Sequence, residues 1–401
     1  MSDALTLYTP SSRQELTDWL AQNHHPIRLT GCNPQPITPA QPFSLAHLNR
    51  VTNYWPADQT FCGQSGLTWK AFQETLIPHH HHMGLIYPED WTLGDIWSSN
   101  WPSITTGLSG GYPADAVLGI EYLIHNGTAC RAGGRVMKNV TGYDVGRFLS
   151  GSHNSLALVS EWTLKLTTQG NPPTGTWVSV QSLDELQSLT QTFLLYRQNN
   201  LHAWEWVCQP LTGVYQLFIL AQPSFAFQSL PAHQHLLDSE KALNTAATLS
   251  ATGWQKPNDT NHFVLAGMGS WPTTQWYGAG QQLQAQLRHG SQQGWVHTAT
   301  LQGRPAAGLW LFSTTLTSNA NPVCPRFKQW LESFCPQPSL HGLAPFAWRW
   351  TQWPTSLSST IDPHHLPPTH HPERSWILRL KNQWDPHNRW RSPHLPLHQL
   401  V

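Results

Sequence analysis

The apolar positions of this 401-residue chain change period along its length. Leu16, Trp19 and Leu20 share one face of residues 11–22, with Ser11 or Ser12 placed to cap a first helix and Glu15 near its third position. Residues 26–30 read as a short strand ending in the turn Gly31-Cys32-Asn33-Pro34. Residues 60–63 read as another strand end, and 67–76 as a helix. From 115 to 166 strands take over. The clearest are 117–124 and 156–166, the second with Leu158, Trp162, Leu164 and Leu166 on one face, interrupted only by Ser160. A stretch bearing proline and glycine, 167–173, then breaks the pattern.

Beyond the break, 176–180 reads as a strand and 184–197 as a helix with Leu186, Leu189, Phe193 and Leu194 on one side. Strands at 203–208 and 215–221 complete a β-α-β-β order, half of a ferredoxin-like sheet. A second half would use strands at 309–316 and 346–352 and a helix at 327–334. Residues 222–262 look partly helical and partly loop, 354–372 irregular, and 373–382 helical. No internal repeat of fixed period is present. The expected organisation is α+β in two parts, residues 1–168 and 174–401.

Composition narrows the function classes. Charged residues are 11% of the chain, against about 25% in ordinary soluble proteins, yet 22 tryptophans exclude the signature of disorder. Acids and bases balance at 22 each, which removes the electrostatic case for nucleic acid or an anionic membrane surface. Near-zero net charge favours association, either in a complex or as a compositional drift. The first residues carry neither a basic region nor an apolar signal core, and no apolar run is long enough for a transmembrane segment. Cys32, Cys62, Cys130, Cys208, Cys324 and Cys335 have no metal-like spacing. They read as reduced thiols of a cytoplasmic protein, membrane association coming only through partners.

The most informative stretch is 134–144. It sets Lys138, Gly142 and a buried-looking aromatic, Tyr143, beside Asp144, with Gly151-Ser152 just beyond. Arg131, Arg135 and Arg147 add positive charge after a run from Lys70 to Arg131 that has none. Glycines admit close backbone approach, so an anionic cofactor cradled by N–H groups fits this chemistry; a surface loop with ordinary charges is the alternative.

Residues 135–144 resemble the VKNVTGYD segment of the vanillyl-alcohol-oxidase flavoproteins, the p-cresol-methylhydroxylase (PCMH) type of FAD-binding fold. The form most similar is the FAD-binding E subunit of glycolate oxidase. Weaker likenesses follow in order: Tyr8 to Leu16, Leu45 to Val51, Val117 to Gly127 and, near the end, Leu380 to Pro386, which looks like a closing LKxxFDP. The likeness covers residues 8–166 well and 376–386 thinly. It implies a PCMH-type domain followed by a ferredoxin-like α+β cap.

It also implies non-covalent FAD, held by Gly31, Cys32 and Asn33, by Pro88, Thr92, Gly94 and Asp95, by Gly107, by Lys138, Gly142, Tyr143 and Asp144, and by Gly151, Ser152 and Val159. Four loops depart from the family pattern. One glycine remains at Gly31, Asp95 replaces a glycine, Pro113-Ala114 stands where an arginine is usual, and Asn154 and Ala157 replace two glycines. A carboxylate at Asp95 is expected to repel a pyrophosphate, whereas Asn154 can adopt the left-handed conformation and Ala157 cannot.

The resemblance implies oxidation of glycolate to glyoxylate, with electrons passing to an iron–sulfur subunit beside a larger FAD-binding D-like subunit. Two other classes stay open: a scaffold that has lost FAD, and a stand-alone oxidase of another hydroxy acid or alditol. No catalytic base is assigned, because the H-x-G-D-G-N motif of the larger relatives is absent. Arg135 and Lys138 are candidates for a substrate-carboxylate cation, with phosphate or structural roles ahead of that. The run His79–His82 reads as a solvated loop rather than a metal or covalent-flavin site, and no metal is expected.

Overall fold

A computed structural model of the chain describes residues 7–29, 41–135, 143–168, 170–195, 200–225, 236–252, 263–271, 273–321, 324–334, 347–352, 374–387 and 389–391. Helices and sheets mix in an α+β architecture. Two compact units form. The first holds 1–102, 111–170 and 372–401; the second holds 103–110 and 171–371. That division departs in two places from one boundary at 168–174: a short early segment joins the second unit, and the end of the chain returns to the first.

In the first unit, α1 (Arg13–Gln22) starts where the capping residues predict. Ser12 accepts from the Glu15 amide, while the Glu15 carboxylate accepts from the Ser11 amide and hydroxyl. Its Leu16 and Leu20 pack with Ile27 on β1 (Ile27–Leu29) and Phe43 on β2 (Gln41–Phe43). Then come β3 (Val51–Trp55), β4 (Thr60–Gln64), α2 (Trp69–Leu76), β5 (His81–His82) and α3 (Leu93–Ser99). After these follow β6 (Val117–Leu123), β7 (Ala129–Gly133), α4 (Val145–Leu149), β8 (Leu158–Lys165) and β9 (Thr167–Thr168).

A five-stranded antiparallel sheet runs β3-β4-β8-β6-β7. The expected alternation holds: Phe61, Ile120, Trp162 and Leu164 are buried on one face, and Cys62, Glu121, Glu161 and Thr163 alternate with them on the other. The histidine run corrects the solvated-loop expectation. His81 and His82 pair as β5 with β9, and His81 is 8% exposed.

The second unit is built on one seven-stranded antiparallel sheet. Its elements are β10 (Thr174–Val180), α5 (Leu183–Leu195), β11 (Leu201–Gln209), β12 (Val214–Ala221) and α6 (Ser239–Ser250), then β13 (Phe263–Ser270), α7 (Thr273–Gln292), β14 (Val296–Arg304), β15 (Leu309–Leu316), α8 (Pro325–Ser333) and β16 (Ala347–Gln352). The strand order is β10-β12-β11-β14-β15-β13-β16. A β-α-β-β order thus occurs twice; β13, α7 and β14 of the second run were not anticipated from the sequence.

Tryptophans fill the core on one sheet face. Trp276 stacks on Trp310 at 4.5 Å between centroids, and Trp206 meets both edge-on. Their indole N–H groups donate to the Leu309 carbonyl, the Trp276 carbonyl and the Thr190 hydroxyl. Gly303 and Gly280 lie under these rings, where a Cβ would collide.

The end of the chain completes the first unit. Helix α9 (Arg374–Trp384) precedes β17 (Trp390–Arg391), which pairs in parallel with β1 and places Trp390 in the core of Leu16, Leu20 and Ile27.

Candidate functional site

Ser65, just after β4, is the hub around which the loops of the first unit gather. Its hydroxyl donates to the Val159 carbonyl at 2.6 Å and accepts from the Trp162 indole at 3.0 Å. Its carbonyl accepts from the Gly94 amide at 2.7 Å. A Cβ on Gly94 would sit 2.9 Å from that oxygen, so this glycine is required by backbone contact. Three predicted residues, Gly94 at the start of α3, Ser152 in the turn after α4 and Val159 on β8, thereby belong to segments tied to one another, with Gly151 donating to the Trp97 carbonyl of α3 and His153 to the Ser98 carbonyl.

The 151–159 loop resolves the question raised by its missing glycines. Gly151 has φ +84°, and His153 and Asn154 take φ +50° and +55°. Asn154 therefore supplies the left-handed conformation at the first lost glycine, and its side-chain carbonyl accepts from the Val159 amide at 3.3 Å. Ala157 takes no positive φ. The Ser152 side chain is buried, and its hydroxyl has no hydrogen-bond partner among the described residues.

Asp95 behaves differently from expectation. With Thr92 it closes a capping box on α3: Thr92 Oγ1 donates to the Asp95 carboxylate at 2.6 Å, and the Asp95 amide donates to Thr92 Oγ1 at 3.1 Å. The carboxylate is engaged by its own helix start, and the Leu93 and Gly94 amides by the Leu67 and Ser65 carbonyls. The signal was legible as Thr-x-x-Asp before an apolar run, although α3 itself was not anticipated. Pro88 contributes a carbonyl to the turn that accepts from the Trp91 amide.

Other predicted residues separate from this group. Tyr143 is 94% exposed rather than buried. Asp144 caps α4 through the Arg147 amide at 3.0 Å. Gly107 belongs to the second unit, with φ +91°, and a Cβ there would meet the Ala306 carbonyl carbon at 2.6 Å. Gly31, Cys32, Asn33, Lys138 and Gly142 lie outside the described residues.

The described arginines of 131–147 each have an acidic neighbour. Arg131 and Arg13 both bridge Glu121, Arg135 pairs with Asp58 at 3.5 Å while lying over the Trp55 ring, and Arg147 reaches Asp115 at 3.3 Å. A groove of about 200 Å³ opens here on the polar sheet face, lined by Trp55, Cys62, Glu121, Arg131, Arg135 and Glu161 among others. Burial raises the Glu161 carboxyl above its usual range, and the Glu121 charge opposite adds to the effect. Among the described residues no group of three or more His, Cys, Asp or Glu side chains is arranged to hold a metal ion. No described helix is long and apolar enough to cross a membrane.

Comparison with known proteins adds chemistry to this geometry. No protein-family model matches the chain. D-2-hydroxyglutarate dehydrogenase of Xanthomonas citri is 28% identical over 40% of the chain and 34% of its own length. An uncharacterized FAD-linked oxidoreductase of Mycobacterium tuberculosis is 28% identical over 39% of the chain and 36% of its length. Glycolate oxidase subunit GlcE of Escherichia coli is 38% identical over 20% of the chain and 23% of its length. The chain is similar to FAD-linked and hydroxy-acid oxidoreductases. It matches about a third or less of the length of each of these relatives.

The first unit bears features that fit a flavin nucleotide in part. The buried, unpartnered Ser152 hydroxyl and the left-handed turn at His153–Asn154 suit a polar ligand approaching backbone. The Thr92–Asp95 turn fits less well, because its N–H groups and carboxylate are already engaged within the chain.

Proposed function

We propose that this chain is the FAD-binding subunit of a 2-hydroxy-acid oxidoreductase, a glycolate oxidase complex in which a larger flavin subunit and an iron–sulfur subunit are its partners. The observation carrying the reading is the 151–159 segment: it keeps a left-handed turn at one of its two lost glycines, and it buries a hydroxyl that has no partner among the described residues. Similarity to hydroxy-acid and FAD-linked oxidoreductases supports the same reading. Gly151, Ser152 and Val159 would contact the cofactor from this loop, Pro88, Thr92 and Gly94 from the neighbouring turn, and Gly31, Cys32, Asn33, Lys138, Gly142, Tyr143 and Asp144 from the remaining segments. Bound FAD would supply the two-electron oxidant for the hydroxy acid. The protein would work in the cytoplasm, any membrane contact coming through its partners.

The test is the visible spectrum of the purified chain, with the flavin released by denaturation and identified. About one FAD per chain, lost or weakened about tenfold by Ser152→Ala, is the expected result. A colourless chain that takes up no added FAD overturns it. The engagement of the Thr92–Asp95 turn favours one second reading, a scaffold subunit without flavin, which would capture its partners from a reconstituted complex while remaining colourless.

A further inference from the structure

Three charged side chains of the closing segment are buried in the first unit, and none was assigned a role from the sequence. Lys381 on α9 directs its three ammonium protons to the Ser155 carbonyl at 2.6 Å, the Asp385 carboxylate at 2.5 Å and the Trp390 carbonyl at 2.8 Å. Asp385 also accepts from the Arg389 and Trp390 amides, each at 2.8 Å. Arg389 donates to the carbonyls of Leu20, Asn23 and His125. Burying a cation is costly unless it is paired and hydrogen-bonded; Lys381 meets that condition in full, and Arg389 meets it in part, its Nε having no partner among the described residues.

One of those carbonyls is informative. Ser155 closes the turn in which its amide and hydroxyl both bond the Ser152 carbonyl, at 2.9 and 2.6 Å. The turn contains the left-handed His153 and Asn154 and the buried Ser152 hydroxyl. Two consecutive non-glycine residues in that conformation are held against their own preference, so they need an external constraint. The Ser155 carbonyl points to the buried ammonium that supplies one.

We propose that Lys381 is a positioning residue for the 151–155 ligand loop: it fixes the Ser155 carbonyl, and Asp385 fixes Lys381, so that the closing segment of the chain sets the geometry of a loop more than 200 residues earlier. This rests on the cofactor reading for the identity of the ligand, but not for the effect on the loop. The structure gives a control on the same helix. Trp384 stacks on Tyr122 at 5.8 Å and meets Phe148 edge-on, so Trp384→Leu loosens α9 without touching Ser155.

The experiment is hydrogen exchange on the flavin-free full chain, followed by FAD titration. Amides of 151–157 should exchange about tenfold or more faster in Lys381→Met than in the wild type, and within about threefold of wild type in Trp384→Leu. Lys381→Gln, which keeps two N–H donors without the charge, should fall between them and carries the comparison should Lys381→Met fail to fold. Equal protection of the loop in wild type and the Lys381 variants overturns the proposal, as does equal loss in Trp384→Leu. With FAD, Lys381→Met should raise the Kd about tenfold while Trp384→Leu leaves it within about twofold. A wild type that takes up no FAD sinks the cofactor reading alone, and the exchange result still decides the role of Lys381.

Discussion

Each unit buries an ion pair, and the two solve the same problem differently. In the first, Lys381, Asp385 and Arg389 sit among main-chain carbonyls, and every ammonium proton of Lys381 has an acceptor. In the second, Glu205 of β11 and Arg304 of β14 face each other at 2.9 Å, both out of solvent, and Arg304 also donates to the Leu249 carbonyl. One Glu205 oxygen has no partner among the described residues. Burial pushes its carboxyl up to about 7 despite the opposing pull of Arg304. The Lys381 ammonium, fully bonded although the Arg389 Nε near it has no partner among the described residues, behaves as a fixed structural clamp, whereas an under-satisfied carboxyl retains the option of taking up a proton.

The largest effect should come from removing the acid that pairs with Lys381. Asp385→Ala leaves the buried Lys381 ammonium without its counter-charge and the Arg389 and Trp390 amides without their acceptor, and should cost about 3–5 kcal/mol in urea denaturation of the full chain. Arg304→Leu leaves only Glu205, which can escape by protonating, so the cost at pH 7 should be smaller, about 2–3 kcal/mol, and should shrink toward pH 5. Equal costs with no pH dependence would erase the contrast between the clusters.

pH sharpens the comparison further. Because the folded pKa of Glu205 lies above its ordinary 4.5, the folded state holds the proton longer than the unfolded state; stability falls as pH climbs from 4.5 through about 7. Glu205→Gln should flatten that slope. The first unit should slope the other way. Burial lowers the His82 pKa below 6.5, with its Nδ1 accepting from the Gly84 amide at 3.1 Å, so this contribution is complete above about 6.5 and fades as pH falls below it. His82→Asn should remove the acid-side loss, read as the change in unfolding midpoint between pH 7 and pH 5. The smallest effect is local: Thr92→Ala removes the α3 cap and should cost about 1 kcal/mol.

Several of these features were legible beforehand. The caps of α1, the alternation on β8 and the first β-α-β-β run of the second unit all follow from short-range preference, which a sequence carries openly. The Thr92–Asp95 box carried an equally local signal, yet comparison with glycine-bearing relatives drew attention to the carboxylate as a repulsive group instead. The misplaced expectations share one cause. Tyr143 and His81 were judged by neighbours in sequence, but exposure and strand pairing depend on residues far away in the chain.

By itself the sequence determined the α+β class, the near-neutral and tryptophan-rich character, and the loops where glycine and asparagine permit left-handed backbone, because each depends on the residue and its immediate neighbours. Only tertiary structure decided that α9 belongs to the first unit, that Lys381 reaches the Ser155 carbonyl, and that the Ser152 hydroxyl is buried with no partner among the described residues. Those outcomes turn on which polar groups lose water together, and burial is a property of the assembled chain rather than of any segment.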